Sequence, residues 1–135
     1  MSFTILPRGW APYAQALLRI VIGLAFLQHG LSKLIDFPHM ESLSAMPMGL
    51  KLFAGAIETV GGALMIAGFF TRPVAFVASG FMAFAYFLFH FPGFLVPGAH
   101  SFFPALNYGE AALLYTFSFL FFAAAGPGAW ALDKD

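Results

Sequence analysis

The chain has 135 residues, 61% hydrophobic, 19% aromatic and only 9% charged, with zero formal net charge and a mean hydropathy of +0.86. A soluble domain carries about 25% charged residues, so this composition selects lipid as the solvent, and the absence of any Lys or Arg run leaves no electrostatic footprint for nucleic acid. With no cysteine, a disulfide scaffold, a thiol relay and a thiolate-bound metal are excluded, so any redox role requires a bound partner or cofactor to carry the electrons.

Residues 1–12 form a polar start with Arg8, Pro12 and an interfacial aromatic, Trp10. Residues 13–35 are the first apolar span. Its length, the presence of Arg19 and the lack of a small-residue cleavage site separate it from a signal peptide. A loop with Pro38, His39, Glu41 and Pro47 follows, and residues 50–70 form the second span. Thr71-Arg72-Pro73 closes that span and opens the third over residues 74–91, with Thr71 placed to cap and Pro73 in the first turn. A Pro- and Phe-rich connection containing His100 leads to a fourth span over residues 107–125, stopped by Gly126-Pro127-Gly128. Trp130 reads as an interfacial anchor and the last three residues as a solvated tail. The expectation is an all-α integral membrane four-helix bundle of antiparallel up-down topology, one domain over residues 1–135. Each span is long enough for a ~30 Å hydrocarbon core.

Four spans put the N-terminus, the Arg72 turn and the C-terminus on one side. That side carries Arg8, Arg72 and Lys134, with Arg19 snorkelling towards it. The positive-inside rule then places both termini in the cytoplasm. Ionisable residues inside a span are costly and mark candidate sites. Counting ~1.5 Å per residue from the helix ends places His29, Lys33, Glu58, His90 and Glu110 in one leaflet, opposite the termini. His29 and Lys33 are i,i+4 and share a face. Ala54, Glu58, Gly61, Gly62 and Met65 give the second span a face that lets another backbone approach closely.

These residues carry more than one reading. Glu58 paired with Lys33 or His29 can be structural glue between the first two helices, and His90 and Glu110 can be simply hydrated. His39 and His100 read as solvated. The absence of paired Glu-x-x-His motifs argues against a carboxylate-bridged metal pair, and no metal is expected. His29 and His90 differ in height by about two helical turns, which argues against a bis-His haem. A quinone-like flat apolar ligand suits the residues best: His29, Lys33, Tyr86 and His90 as donors, Glu58 and Glu110 as proton acceptors, and Phe26, Phe87 and Phe89 as walls, with Asn107 also lining the pocket. A small proton-linked permease and a non-catalytic assembly or anchoring protein are the rival readings.

Phe26-Leu27-Gln28-His29-Gly30-Leu31-Ser32-Lys33-Leu34, Glu58-Thr59-Val60-Gly61-Gly62, Gly68-Phe69-Phe70-Thr71-Arg72, Phe89-His90-Phe91-Pro92 and Asn107-Tyr108-Gly109-Glu110 resemble, in this order, the DoxX family of small membrane proteins. So do the closing Gly126-Pro127-Gly128 and Leu132-Asp133. The resemblance implies a four-helix bundle in a bacterial plasma (inner) membrane and an association with quinone-linked redox complexes, as an accessory subunit or partner protein; separately, the small size of a four-helix permease puts homo-oligomers among the expected assemblies. It marks His29, Lys33, Glu58, Arg72, His90 and Glu110, and so adds Arg72, otherwise read as a topological charge.

Overall fold

The computed structural model describes residues 3–91 and 101–134, so His100 and part of its connection lie outside the described residues. All regular structure among the described residues is helical. A 3-10 turn, Arg8–Trp10, leads into α1 (Ala11–Ile35), followed by a second 3-10 turn (Glu41–Leu43), α2 (Met48–Ala67), α3 (Thr71–Phe89), the single turn α4 (Pro104–Asn107) and α5 (Glu110–Ala125). Three of these, α1, α2 and α3, are long and apolar enough to cross a membrane. The fourth, α5, has 16 residues, or ~24 Å of rise.

Helix ends follow local chemistry. Pro12 sits at the start of α1, where its missing N–H is no loss. Gly68 adopts the left-handed conformation (φ 64°) that ends α2. The expected fourth span from residue 107 begins instead at Glu110. Asn107 ends α4, Tyr108 turns left-handed (φ 60°), and the Asn107 side chain accepts from the Gly109 N–H at 2.8 Å.

Packing pairs the helices: α1 lies along α2 and α3 along α5, with lesser contact between α2 and α3 and between α1 and α5. The α1–α2 contact is backbone on backbone. A Cβ at Gly62 would stand 2.6 Å from the Leu27 nitrogen, and one at Gly30 would stand 2.5 Å from the Thr59 nitrogen. Phe26, Met65, Ala75, Ala78, Tyr115, Phe119 and Phe122 form the core. Large exposed apolar side chains such as Val21, Val60, Phe76 and Leu114 face outward, as lipid solvent allows.

Arg19 corrects the sequence reading. It does not snorkel: its relative exposure is 0%. Nε donates to the Pro127 carbonyl at 2.9 Å, Nη1 to Met65 and Ile66 at 2.6 and 2.8 Å, and Nη2 to Ala129 and Trp130 at 3.1 and 2.7 Å. A guanidinium has five N–H donors, and all five are used. Two serve the last-turn carbonyls of α2, where a cation also suits the helix dipole. The other three hold the segment after α5.

That segment is a strap rather than a solvated tail. Gln15 donates to the Gly126 carbonyl at 2.7 Å, and the Ala129 N–H donates to Pro12 at 2.9 Å. The N–H groups of Leu132 and Asp133 donate to Ala67 and Gly68 at 3.2 and 2.8 Å. Asp133 then accepts from the Phe70 and Thr71 N–H groups at 2.9 and 2.8 Å. Thr71 therefore does not cap α3 as expected; it is the first helical residue, and the cap comes from Asp133, far along the chain. Arg72 donates to the carbonyls of Ala123 and Ala124 at the end of α5, so its charge serves an interface between helices.

Two outcomes are expected. Arg19→Leu leaves five carbonyls without their charged donor and lowers detergent-phase stability by about 3 kcal/mol or more, since one hydrogen bond to a charged group contributes ~1.5–3 kcal/mol; thermal melts of the purified protein check this. The second concerns acid. Partial burial pushes the Asp133 carboxyl up, but the Thr71 and Phe70 N–H groups and nearby Arg19 outweigh it and hold the carboxyl below its ordinary value. A lowered carboxyl stabilises the fold above its unfolded pKa and loses that contribution as pH falls through the folded one. Wild type should therefore lose stability below about pH 4, whereas Asp133→Asn, with one acceptor oxygen for the two N–H groups, starts about 1 kcal/mol lower at neutral pH and shows a smaller acid step.

Candidate functional site

The close approach of α1 and α2 sets up the buried pair that the spacing pointed to. Lys33 belongs to the last turn of α1 and Glu58 to the middle of α2. Helical side chains lean towards the N-terminus of their own helix, so Lys33 reaches back down α1 and its Nζ also lies 3.4 Å from the His29 carbonyl. Its ammonium meets Glu58 Oε2 at 2.7 Å, with side-chain exposures of 8% and 7%. Both charges are thus more than nine-tenths removed from solvent. Such burial costs several kcal/mol per ion unless the partner is held in place.

His29 and Tyr115 complete the group. The two rings meet edge to face with centroids 6.0 Å apart. Tyr115 is 7% exposed, stacks on Phe119 at 5.8 Å and leans on Phe26 at 5.6 Å. Phe26, expected as a pocket wall, is fully buried and belongs to this aromatic core. One basic side chain, one carboxylate, one imidazole and one phenol from α1, α2 and α5 therefore share a neighbourhood. Tyr115 escaped sequence reading because a tyrosine among phenylalanines in an apolar span looks like core, which by burial it is.

The remaining candidates gather elsewhere. His90 follows the last residue of α3, and its Nδ1 lies 3.1 Å from the Asn107 carbonyl. Asn107, 1% exposed, donates from Nδ2 to the Tyr86 hydroxyl and to the Ser101 carbonyl, each at 3.1 Å. Tyr86 is buried and stacks on His90 at 6.2 Å. His90, Tyr86 and Asn107 thus lock α3, α4 and the start of α5 together. Glu110 is exposed in the first turn of α5 and belongs to no ion pair among the described residues. Phe87 is exposed and Phe89 half-buried.

Outside the helices, His39 is exposed and its Nδ1 lies 2.8 Å from Asp36, with Glu41 on the other ring nitrogen at 3.4 Å. The hydrogen bonds to Asp36 and Glu41 raise its pKa above the usual imidazole value. Among the described residues no three His, Asp or Glu side chains are grouped to hold a metal ion.

The Lys33–Glu58 pair makes a double-mutant cycle informative. Lys33→Met or Glu58→Met alone strands a buried charge and should cost ~3–5 kcal/mol, while the double variant should return close to wild type. Melts of the four proteins in one detergent decide it. Additive losses in the double variant would show that the two groups do not stabilise each other.

Comparison with known proteins places the chain. The DoxX family model matches residues 14–91, which hold Arg19, His29, Lys33, Glu58, Arg72 and His90. A protein of Haemophilus influenzae, named only as uncharacterized, is 44% identical over 127 residues, covering 93% of this chain and 92% of its own. Inner membrane protein YphA of Escherichia coli strain K12 is 31% identical over 136 residues, covering 91% of this chain and 90% of its own. No solved structure matches the chain. The protein is a membrane protein of the DoxX family.

Proposed function

We propose that this DoxX-family protein is an accessory subunit of, or partner to, a membrane redox system, and that it binds a quinone-like lipophilic ligand beside the Lys33–Glu58 pair. The observation that carries the reading is the pair itself: two opposite charges, each more than 90% buried, between apolar helices of membrane length. Ionisable groups at such a place are expensive and mark ligand or proton pathways. Here His29 and Tyr115 add a third titratable group and a flat wall.

In this reading the Lys33 ammonium donates to a quinone carbonyl while Glu58 and His29 exchange protons with it. Reduction of a quinone to a quinol takes two electrons and two protons. The electrons come from a redox partner protein, because this chain has no thiol to carry them, and the protons pass through Glu58 and His29. His90 and Glu110, near the ends of α3 and α5, relay protons towards the aqueous surface. The helices form a four-helix up-down bundle in a bacterial inner membrane, with both termini cytoplasmic and the pocket in the outer half; the printed name of YphA supports that membrane. Homo-oligomers fit a chain of this size.

Ubiquinone and menaquinone analogues added to the purified protein should raise its thermal midpoint, by an amount equivalent to about 2.7 kcal/mol at a hundredfold excess over Kd. The Lys33→Met, Glu58→Met double variant should fold and show no such shift. Indifference of the wild type to every analogue would sink the quinone reading. Proteoliposome flux that vanishes in Glu58→Gln would replace it with a proton-linked permease, whereas a Glu58→Gln variant that loses stability and partner recovery together, with no ligand or flux to lose, would leave an assembly protein.

A further inference from the structure

We infer that the recess between the start of α1 and the C-terminal strap is a binding site for one anionic phospholipid. The recess is about 580 Å³, lined by Leu6, Trp10, Tyr13, Ala14, Leu17 and Trp130. It stands apart from the Lys33–Glu58 pair and does not depend on the quinone reading.

The recess is built rather than left over. Trp130 has φ 50°, a left-handed conformation that costs a bulky residue ~1–3 kcal/mol and persists only where surroundings impose it. Arg19 imposes it, donating to the carbonyls of Ala129 and Trp130. Gly128, at φ 74°, lets the strap lie flush on α1: a Cβ there would meet the Pro12 carbonyl oxygen at 2.7 Å. The consequence is that the indole of Trp130 stands 5.3 Å from the Tyr13 ring, forming a wall that an extended terminus would not supply.

The shape and charge of the surroundings identify the occupant. Below the aromatic rim, Leu17, Val21 and Leu24 are exposed at 55, 60 and 51%. Their spacing of four and three puts them on one face of α1, an apolar track for a hydrocarbon chain. Above the rim, the 3-10 turn that carries Trp10 into the recess begins at Arg8, an exposed cation in no ion pair among the described residues and set between the lining residues Leu6 and Trp10. A chain-bearing molecule with a negative head satisfies all three layers: cationic rim, amphipathic aromatic belt and apolar track.

The test uses the full chain and its own fluorescence. Trp10 and Trp130 are the only tryptophans, so emission reports on this recess alone. In vesicles of phosphatidylethanolamine, brominated phosphatidylglycerol should quench at about fivefold lower mole fraction than brominated phosphatidylcholine, the factor expected from one basic side chain at an anionic surface. Arg8→Gln should bring the two lipids together. Tyr13→Ala should weaken quenching by the anionic lipid without altering the melt of the Arg19 strap. Equal quenching by both lipids overturns the site, as does an anionic preference that survives both substitutions, because it would belong to the membrane face in general.

Discussion

The guanidinium of Arg19 is the constraint on which the rest of the molecule depends. A buried cation in a helix bundle is costly alone, and here its cost is offset by five carbonyl oxygens drawn from the end of α2 and from the strap. Because all five donors are committed, neither the end of α2 nor the strap can shift without unpairing a charge. The strap in turn brings Asp133 to the start of α3. One side chain therefore fixes the relative position of α1, α2 and the chain end directly, and of α3 through the segment it holds.

Arg72 repeats this logic on the second helix pair, with carbonyls at the end of α5 in place of those at the end of α2. In each case a cation meets the negative end of a helix dipole and supplies donors that an apolar environment does not. Water would serve both needs in a soluble bundle. In lipid the protein must provide its own solvent for helix ends, and much of its small stock of charge is spent there.

The sequence revealed the elements better than their relations. Hydropathy and the Gly and Pro stops located the helices within a few residues, and the i,i+4 spacing of His29 and Lys33 with Glu58 across the interface led to the ion pair. The start of α5 differs because the break after Asn107, which ends α4, rests on side-chain bonds to Gly109 and Tyr86 that leave no mark in the hydropathy. Arg19 was misread for a related reason. Its partners are backbone carbonyls 46 to 111 residues away, and carbonyls carry no sequence signature. The cap of α3 by Asp133 was invisible in the same way. Tyr115 was hidden by its apolar neighbours.

The distance along the chain between Arg19 and its acceptors has a kinetic corollary. Pro127 lies 108 residues downstream of Arg19. At ~5–20 residues per second of synthesis, α1 waits roughly 5–20 s for the three strap carbonyls that complete the solvation of its cation. During that interval Arg19 has to find interim company in water, headgroups or the insertion machinery, and α1 enters the bilayer as a helix that is not yet at home there. The acceptor set of Arg19 is complete only once the segment after α5 has been made.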